Sequence, residues 1–495
     1  MPNAYPELEK RFERMYLLRD AVAALEWDAS TYMPEGGSQA RADQMALLRV
    51  LEHELLTAPD LGDLVARGEG EPLDDWQRAN LREMRREWVR AVAVPASLVE
   101  ARSQAVSVCE MRWRTARKEN DFAGLLPSFE QVLKLTREVG EAQASSLGLS
   151  PYDALLDEWE PGGSGAEIDR VFAAVEAFLP PLVPRVIERQ QSRSARPQPS
   201  GPFPEDRQRE LAHAVMRMMG FDFHHGRLDT SAHPFCTGVP DDVRITTRWD
   251  ERDYTIGLFA IIHETGHALY TRGLPARFRT QPVGQARGMS THESQSLLWE
   301  MQAARTPELV SRLAQAAREV FGGSGPGWDA DALLERVLHV ERSLIRVDAD
   351  EVTYPLHVIL RYRLERAMIA GDLRLRDLPS AFDDGMETLV GIRPQNVADG
   401  CLQDIHWPGG LWGYFPTYTL GALTAAQLFA AAVEAVPAIP AALAAGETEP
   451  LRTWLAAHVH AQGALCSAPE IVRRATGKPL DPEVFRRHIE RRYLT

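Results

Sequence analysis

The chain has 495 residues, 44% hydrophobic and 25% charged, a globular composition with ample length for a large core. A formal net charge of −15 argues against nucleic acid and anionic membrane surfaces as partners, because both carry like charge. The four cysteines, Cys109, Cys236, Cys401 and Cys466, form no CxxC pair, which argues against a disulfide framework or a cysteine-ligated structural zinc and fits a reducing, cytoplasmic setting.

The N-terminal MPNAYPELEKRFERMYLLRD has no apolar core of a secretory signal. Residues 5–31 place Leu8, Phe12, Tyr16, Leu17 and Val22 at helical intervals. Segments 39–56, 74–93, 98–118, 122–147, 166–191 and 204–219 repeat the pattern and predict an array of long amphipathic helices. QQSRSARPQPSGPFP (190–204) is a proline- and serine-rich loop. It divides one large body into an N-terminal helical part (1–195) and a part carrying the chemistry (205–495).

VRITTRW (243–249) is the one predicted strand. It is either an exposed edge to which a peptide adds as a further strand, or a strand paired only within the protein. Directly after it, DYTIGLFAIIHETGHALYTR (253–272) reads as one continuous apolar helix. VFGGSGP (320–326) is a glycine-rich loop. The longest apolar stretch, 423–446, is interrupted by Glu434, Pro437 and Pro440, and predicts a buried helix and a turn rather than a membrane span. The fold class expected is mainly α with one small β element.

The 253–272 helix carries HExxH at His263, Glu264 and His267. Residues i and i+4 of a helix lie about 40° apart around the axis and about 6 Å along it, so both imidazoles can reach one metal ion. Glu264 can then act on water as a general base rather than as a ligand. Burying two histidines and a glutamate in an apolar helix costs free energy unless something satisfies them. Gly266, a poor helix former, leaves room there. A catalytic zinc takes three protein ligands and keeps an open position. Glu293, 26 residues beyond His267, is the candidate third ligand. Asp250 is a weaker candidate, because it is expected to cap the helix. His292 is a rival to Glu293, but neighbouring helical residues point about 100° apart, so only one can face the metal. A supporting position behind the ligands is the expectation for His292.

Several ordered motifs accompany HExxH: HPF at His233–Phe235, DxRxT at Asp242, Arg244 and Thr246, HESQ at His292–Gln295, IRxxAD at Ile345, Arg346, Ala349 and Asp350, and GxxQDxHW at Gly400, Gln403, Asp404, His406 and Trp407, leading into GYFPTY. Together they resemble the Taq-type metallocarboxypeptidases of family M32. The resemblance implies a large helical zincin fold with a deep channel, similar to the neurolysin and peptidyl-dipeptidase group. It implies His263, His267 and Glu293 as ligands of Zn²⁺, with Co²⁺ able to substitute, and Glu264 as the base. It further implies a homodimer that removes C-terminal residues stepwise from peptides, with broad specificity. Leu297, after HESQS, departs from the basic residue expected in many members, which bears on packing near the site.

Other motif residues follow from the needs of that reaction. A free α-carboxylate is best met by the planar fork of an arginine. Arg346 is the first candidate, with a structural pairing to Asp348 or Asp350 as its alternative; Arg244 is the second, with Asp242 as its structural partner. A tetrahedral intermediate needs a hydrogen-bond donor, for which His406, Tyr414 and Tyr418 are candidates. Gln403 and Asp404 orient His406 or serve as polar support, with Gln403 on the substrate side. His233 is placed in a loop lining the cleft, where it helps to close the channel beyond one residue. A peptidyl-dipeptidase or oligopeptidase on the same scaffold is the alternative function.

Overall fold

The computed structural model describes residues 3–495, which form twenty α-helices and three strands. The seven predicted N-terminal helices appear as Ala4–Thr31, Ser38–Leu56, Asp75–Ala93, Ala96–Glu119, Phe122–Leu147, Gly165–Gln191 and Glu205–Met219. Sequence-encoded caps start several of them. Asp74 and Gln77 form a reciprocal capping box, and the Ser164 hydroxyl accepts the Glu167 amide. Leu8, Phe12, Tyr16 and Val22 are buried as their spacing predicts, whereas Leu17 is 52% exposed. Ser38–Leu56 buries only Leu56; Leu47, Val50 and Leu51 stay exposed because that helix lies outside the main cores.

Two large cores organise the body. One joins Phe122–Leu147 and Gly165–Gln191 to Tyr354–Ala370, Leu378–Leu389 and the C-terminal Pro482–Leu494. The other joins Glu205–Met219, Tyr254–Gly273 and Pro307–Phe321 to Glu449–His458. Pro416–Ala435 belongs to both: Leu423 and Ala426 face the first core, and Ala425, Leu428 and Ala432 the second. A helix buried on opposite sides must be apolar all round, which explains the long apolar stretch. After it the chain bends by 99° into Ile439–Ala445, and no single described helix is long and apolar enough to cross a membrane.

The sheet differs from expectation. It has three strands, β1 (Gly226–Thr230), β2 (Phe235–Val239) and β3 (Asp242–Thr247), in the order β1-β3-β2. β3 pairs parallel with β1, Leu228 opposite Ile245, and antiparallel with β2, Cys236 opposite Ile245. VRITTRW therefore supplies the central strand, hydrogen-bonded on both sides, and not an exposed edge. Val243 and Ile245 pack with Ile261 and Ala268 of the HExxH helix, so the sheet forms one wall behind that helix.

Candidate metal centre and active site

The HExxH helix spans Tyr254–Gly273. Its cap is Asp253, whose carboxylate accepts the Thr255 amide, and not Asp250, which is paired with Arg252. Asp253 immediately precedes the first helical residue, whereas Asp250 sits one turn too early. The helix is held on two sides: Ile261 and Ala268 face the sheet, while Phe259, Ile262 and Tyr270 face the second core. Both its contact faces being apolar, His263, Glu264 and His267 occupy the remaining one.

Facing it is the helix Gly288–Leu297, which carries His292 and Glu293. Glu293 Oε2 lies 3.8 Å from His263 Nε2 and 3.5 Å from His267 Nε2. One ligand atom from each of the three residues lies within 4.8 Å of the others. Ser296 Oγ donates to the same carboxylate oxygen at 3.3 Å. The other histidine nitrogens are engaged elsewhere. His263 Nδ1 meets Glu300 Oε2 at 2.9 Å, and His267 Nδ1 shares a hydrogen bond of 2.6 Å with His292 Nδ1. Two Nε2 atoms and a carboxylate oxygen thus converge, a donor set that fits Zn²⁺. Burial raises the Glu293 carboxyl, but His263 and His267 outweigh it and hold it at about 2. Burial and the neighbouring His267 push His292 down to about 3, which keeps it a neutral acceptor behind His267. His292 thus stands behind His267, outside the group formed by His263, His267 and Glu293.

Glu264 is buried, and burial raises its carboxyl above the ordinary value against the pull of His263 and His267. Gly266 has a different reason from the one expected. Its missing side chain admits the backbone of the Gly288–Leu297 helix rather than a ligand. Leu297 is buried in the second core, so its apolar character is satisfied by packing.

A second cluster gathers around Arg346 and Asp404. Arg346 is almost fully buried, and its Nε and Nη2 donate to Asp404 Oδ1 at 3.0 and 2.8 Å. Asp404 also accepts Arg361 Nε at 2.6 Å. Neither Asp348 nor Asp350 pairs with Arg346; Asp350 instead caps the turn at Val352 and Thr353. The Arg346 guanidinium lies 4.8 Å from the Tyr418 ring centre, and Nη1 reaches Tyr354 Oη at 3.5 Å. His406 Nε2 bonds Tyr418 Oη at 3.1 Å, while its Nδ1 is 3.8 Å from Asp404, beyond hydrogen-bonding range. Gln403 does not orient His406: it accepts the Arg346 amide and donates to the Leu344 and Asp399 carbonyls. Burial, helped by Arg346 and Arg361, lowers His406 to about 3, so it is a neutral ring. Burial pushes the Tyr418 hydroxyl up to about 12 and raises those of Tyr414 and Tyr354 further, with the Glu293 charge adding to each.

The remaining candidates, Arg244 and His233, belong to β3 and to the loop between β1 and β2. Arg244 forms a two-pronged pair with Asp242 and stacks 4.4 Å from the Trp27 ring, bracing the first helix against the sheet. His233 is exposed in the loop between β1 and β2. Glu300, Tyr354, Arg361 and Trp27 escaped the sequence reading. Glu300 had one signal, its place seven residues after Glu293, which an unbroken α-helix would put on the same face.

Helical walls around a His–His–Glu centre with a buried glutamate beside it define a metal-dependent peptidase. The model of the Carboxypeptidase Taq (M32) metallopeptidase family matches residues 7–493, and the chain belongs to that family. It is a metallocarboxypeptidase, a hydrolase of peptide bonds. It is 40% identical to thermostable carboxypeptidase 1 of Thermus thermophilus, covering 98% of this chain and 97% of the relative. It is 32% identical to carboxypeptidase 1 of Bacillus subtilis, covering 98% of each. Among solved structures, Trypanosoma cruzi metallocarboxypeptidase 1 superposes with a TM-score of 0.97 at 39% identity over 99% of both chains. The M32 carboxypeptidase of Deinococcus radiodurans gives 0.93 at 34% identity, over 99% of this chain and 98% of that one.

Proposed function

We propose that the enzyme removes single residues from the free C-terminus of peptides, with broad specificity, and that His263, His267 and Glu293 hold Zn²⁺, for which Co²⁺ can substitute. The observation that carries this reading is the convergence of the two Nε2 atoms on Glu293, with Glu264 buried beside them. When bound, the metal supplies a Lewis acid that polarises the scissile carbonyl and makes water a better nucleophile. Glu264 takes the proton of the attacking water on its carboxylate and passes it to the leaving amine nitrogen. Its burial supports this role, because a carboxyl raised toward neutrality exchanges a proton more readily at physiological pH.

Tyr414, Tyr418 and neutral His406 supply hydrogen-bond donors to the oxygen that becomes negative in the transition state. Arg346 binds the α-carboxylate of the substrate: Asp404 and the Tyr418 ring fix its fork, and Nη1 is the donor left with only a long contact. Gln403 supports this site through the Arg346 backbone. Arg244 stays with Asp242, and His233 lies on the exposed loop rimming the sheet. We assign the whole chain, 1–495, to one peptidase unit. A homodimer, peptides with a free C-terminus as substrates and a cytoplasmic location complete the proposal and rest on the family resemblance.

N-blocked peptides, free or amidated at the C-terminus, test it when the products are read by mass spectrometry. Loss of single residues from the free-ended set alone is expected. Release of dipeptides, or equal cleavage of amidated peptides, would replace this reading with a peptidyl-dipeptidase or oligopeptidase.

A further inference from the structure

We propose that Glu300 is a positioning residue of the metal site, holding His263 by a carboxylate–imidazole hydrogen bond whose far end is clamped by Arg305. The inference rests on His263 being a metal ligand, as proposed above. Glu300 Oε2 stands 2.9 Å from His263 Nδ1, and Glu300 Oε1 accepts Arg305 Nη2 at 3.0 Å. The Glu300 and Arg305 side chains are only 14% and 12% exposed, so the relay is shielded from solvent. A carboxylate accepting from Nδ1 holds the proton there, which leaves Nε2, the atom that faces Glu293 Oε2 at 3.8 Å, as the one to bind the metal.

The backbone supports this assignment. The Gly288–Leu297 helix continues into a single π-helical turn, Leu298–Ala303, that contains Glu300. Such turns are uncommon, frequently occur at functional sites and reset which side chains face a neighbouring helix. Here Leu298 and Trp299 remain in the second core, while Glu300 turns toward His263. Arg305 follows the turn and packs its guanidinium 5.5 Å from the centre of the Phe259 ring, one helical turn before His263. The relay therefore begins and ends on the HExxH helix. His267 has only the His292 imidazole in the corresponding place. Glu300 is the one carboxylate that backs a ligand histidine among the described residues.

Chelator competition for Zn²⁺ with the full chain tests the proposal. Wild type, Glu300→Ala and Glu300→Gln are compared, and Co²⁺-loaded samples are read by visible absorption. Glu300→Ala is expected to weaken Zn²⁺ binding by roughly 10- to 100-fold and to alter the Co²⁺ spectrum per bound ion. Glu300→Gln keeps an acceptor oxygen but not the charge, and should recover part of that loss. Wild-type affinity in Glu300→Gln together with an unchanged Co²⁺ spectrum overturns the proposal, even where Glu300→Ala fails to fold. So does a lower unfolding temperature of the metal-free variants with metal affinity unmoved, which marks a purely structural residue. Failure of the wild type itself to bind Zn²⁺ overturns the metal assignment first and this inference with it.

Discussion

The backbone carbonyl of Gln295 lies so close over Gly266 that a Cβ there would stand 2.7 Å from its oxygen. On the opposite side of the same helix, a Cβ at Gly421 would stand 2.9 Å from the Cβ and Cγ of Glu293. The helix bearing Glu293 is thus seated between two glycine notches, one on the HExxH helix and one on Pro416–Ala435. Both notches press on the stretch Ser290–Ser296 that carries Glu293.

Gly266→Ala should therefore harm the metal site more than the fold. Overpacking costs about 1–3 kcal/mol, and alanine returns about 1 kcal/mol of helix propensity. The net loss of stability is small, but relief of the clash must move Gln295 and Ser296, and with them Glu293. Zn²⁺ affinity should fall by roughly tenfold or more, about 1.4 kcal/mol. Gly421→Ala, which presses on Glu293 itself, should do the same. Unchanged affinity in chelator titrations of both variants would show that the notches do not set ligand geometry.

Arg346→Lys keeps the charge but loses the planar fork. The KM for free-ended peptides should rise roughly tenfold, with a smaller change in kcat. Arg244→Ala should leave KM within about twofold, because Arg244 is committed to Asp242 and Trp27. Steady-state kinetics on one N-blocked dipeptide distinguishes the two. An unchanged KM in Arg346→Lys with a raised KM in Arg244→Ala would exchange their roles.

Stability should also depend on Glu160. This buried carboxylate accepts the Ser290 amide at 3.1 Å, near the start of the Glu293 helix. Burial raises its pKa from 4.5 to about 7, against the opposing bonds from Ser290 and the charge of Arg287. The folded state therefore holds this proton more tightly than the unfolded chain. Its contribution is fully present below pH 4.5 and is lost as the pH rises to about 7, amounting to roughly 3 kcal/mol at most. Between pH 5 and pH 8 the unfolding temperature of the wild type should fall further than that of Glu160→Gln. Parallel curves for the two proteins would contradict this.

Much of the helical body is legible in the sequence, because a 3.6-residue period survives wherever one face of a helix meets a core. Leu8, Phe12 and Tyr16 follow that period into the interior, whereas Leu17, at the margin of the same stripe, does not. β1 and β2 left little trace. GRLDT and FCTGV are five residues each, with few β-branched positions, and are held as strands by pairing with β3. Helix geometry alone brings His263 and His267 together, and the fold adds the Glu293 carboxylate to the same group of donor atoms. The Arg346–Asp404 pair spans 58 positions of chain, so Asp348 and Asp350 were the nearer partners on paper. Glu300 was within reach of the i+7 rule, yet its purpose depends on where His263 Nδ1 points, which only the packed helices fix.

The role of Glu264 as the base is decided by Glu264→Gln, with metal content and peptide hydrolysis measured on the same preparation. The amide preserves shape but cannot carry the proton from water to the amine. Near-normal Zn²⁺ content and turnover reduced by roughly 10²-fold or more are expected. A variant that retains its metal and still hydrolyses peptides at the wild-type rate would contradict the role of Glu264.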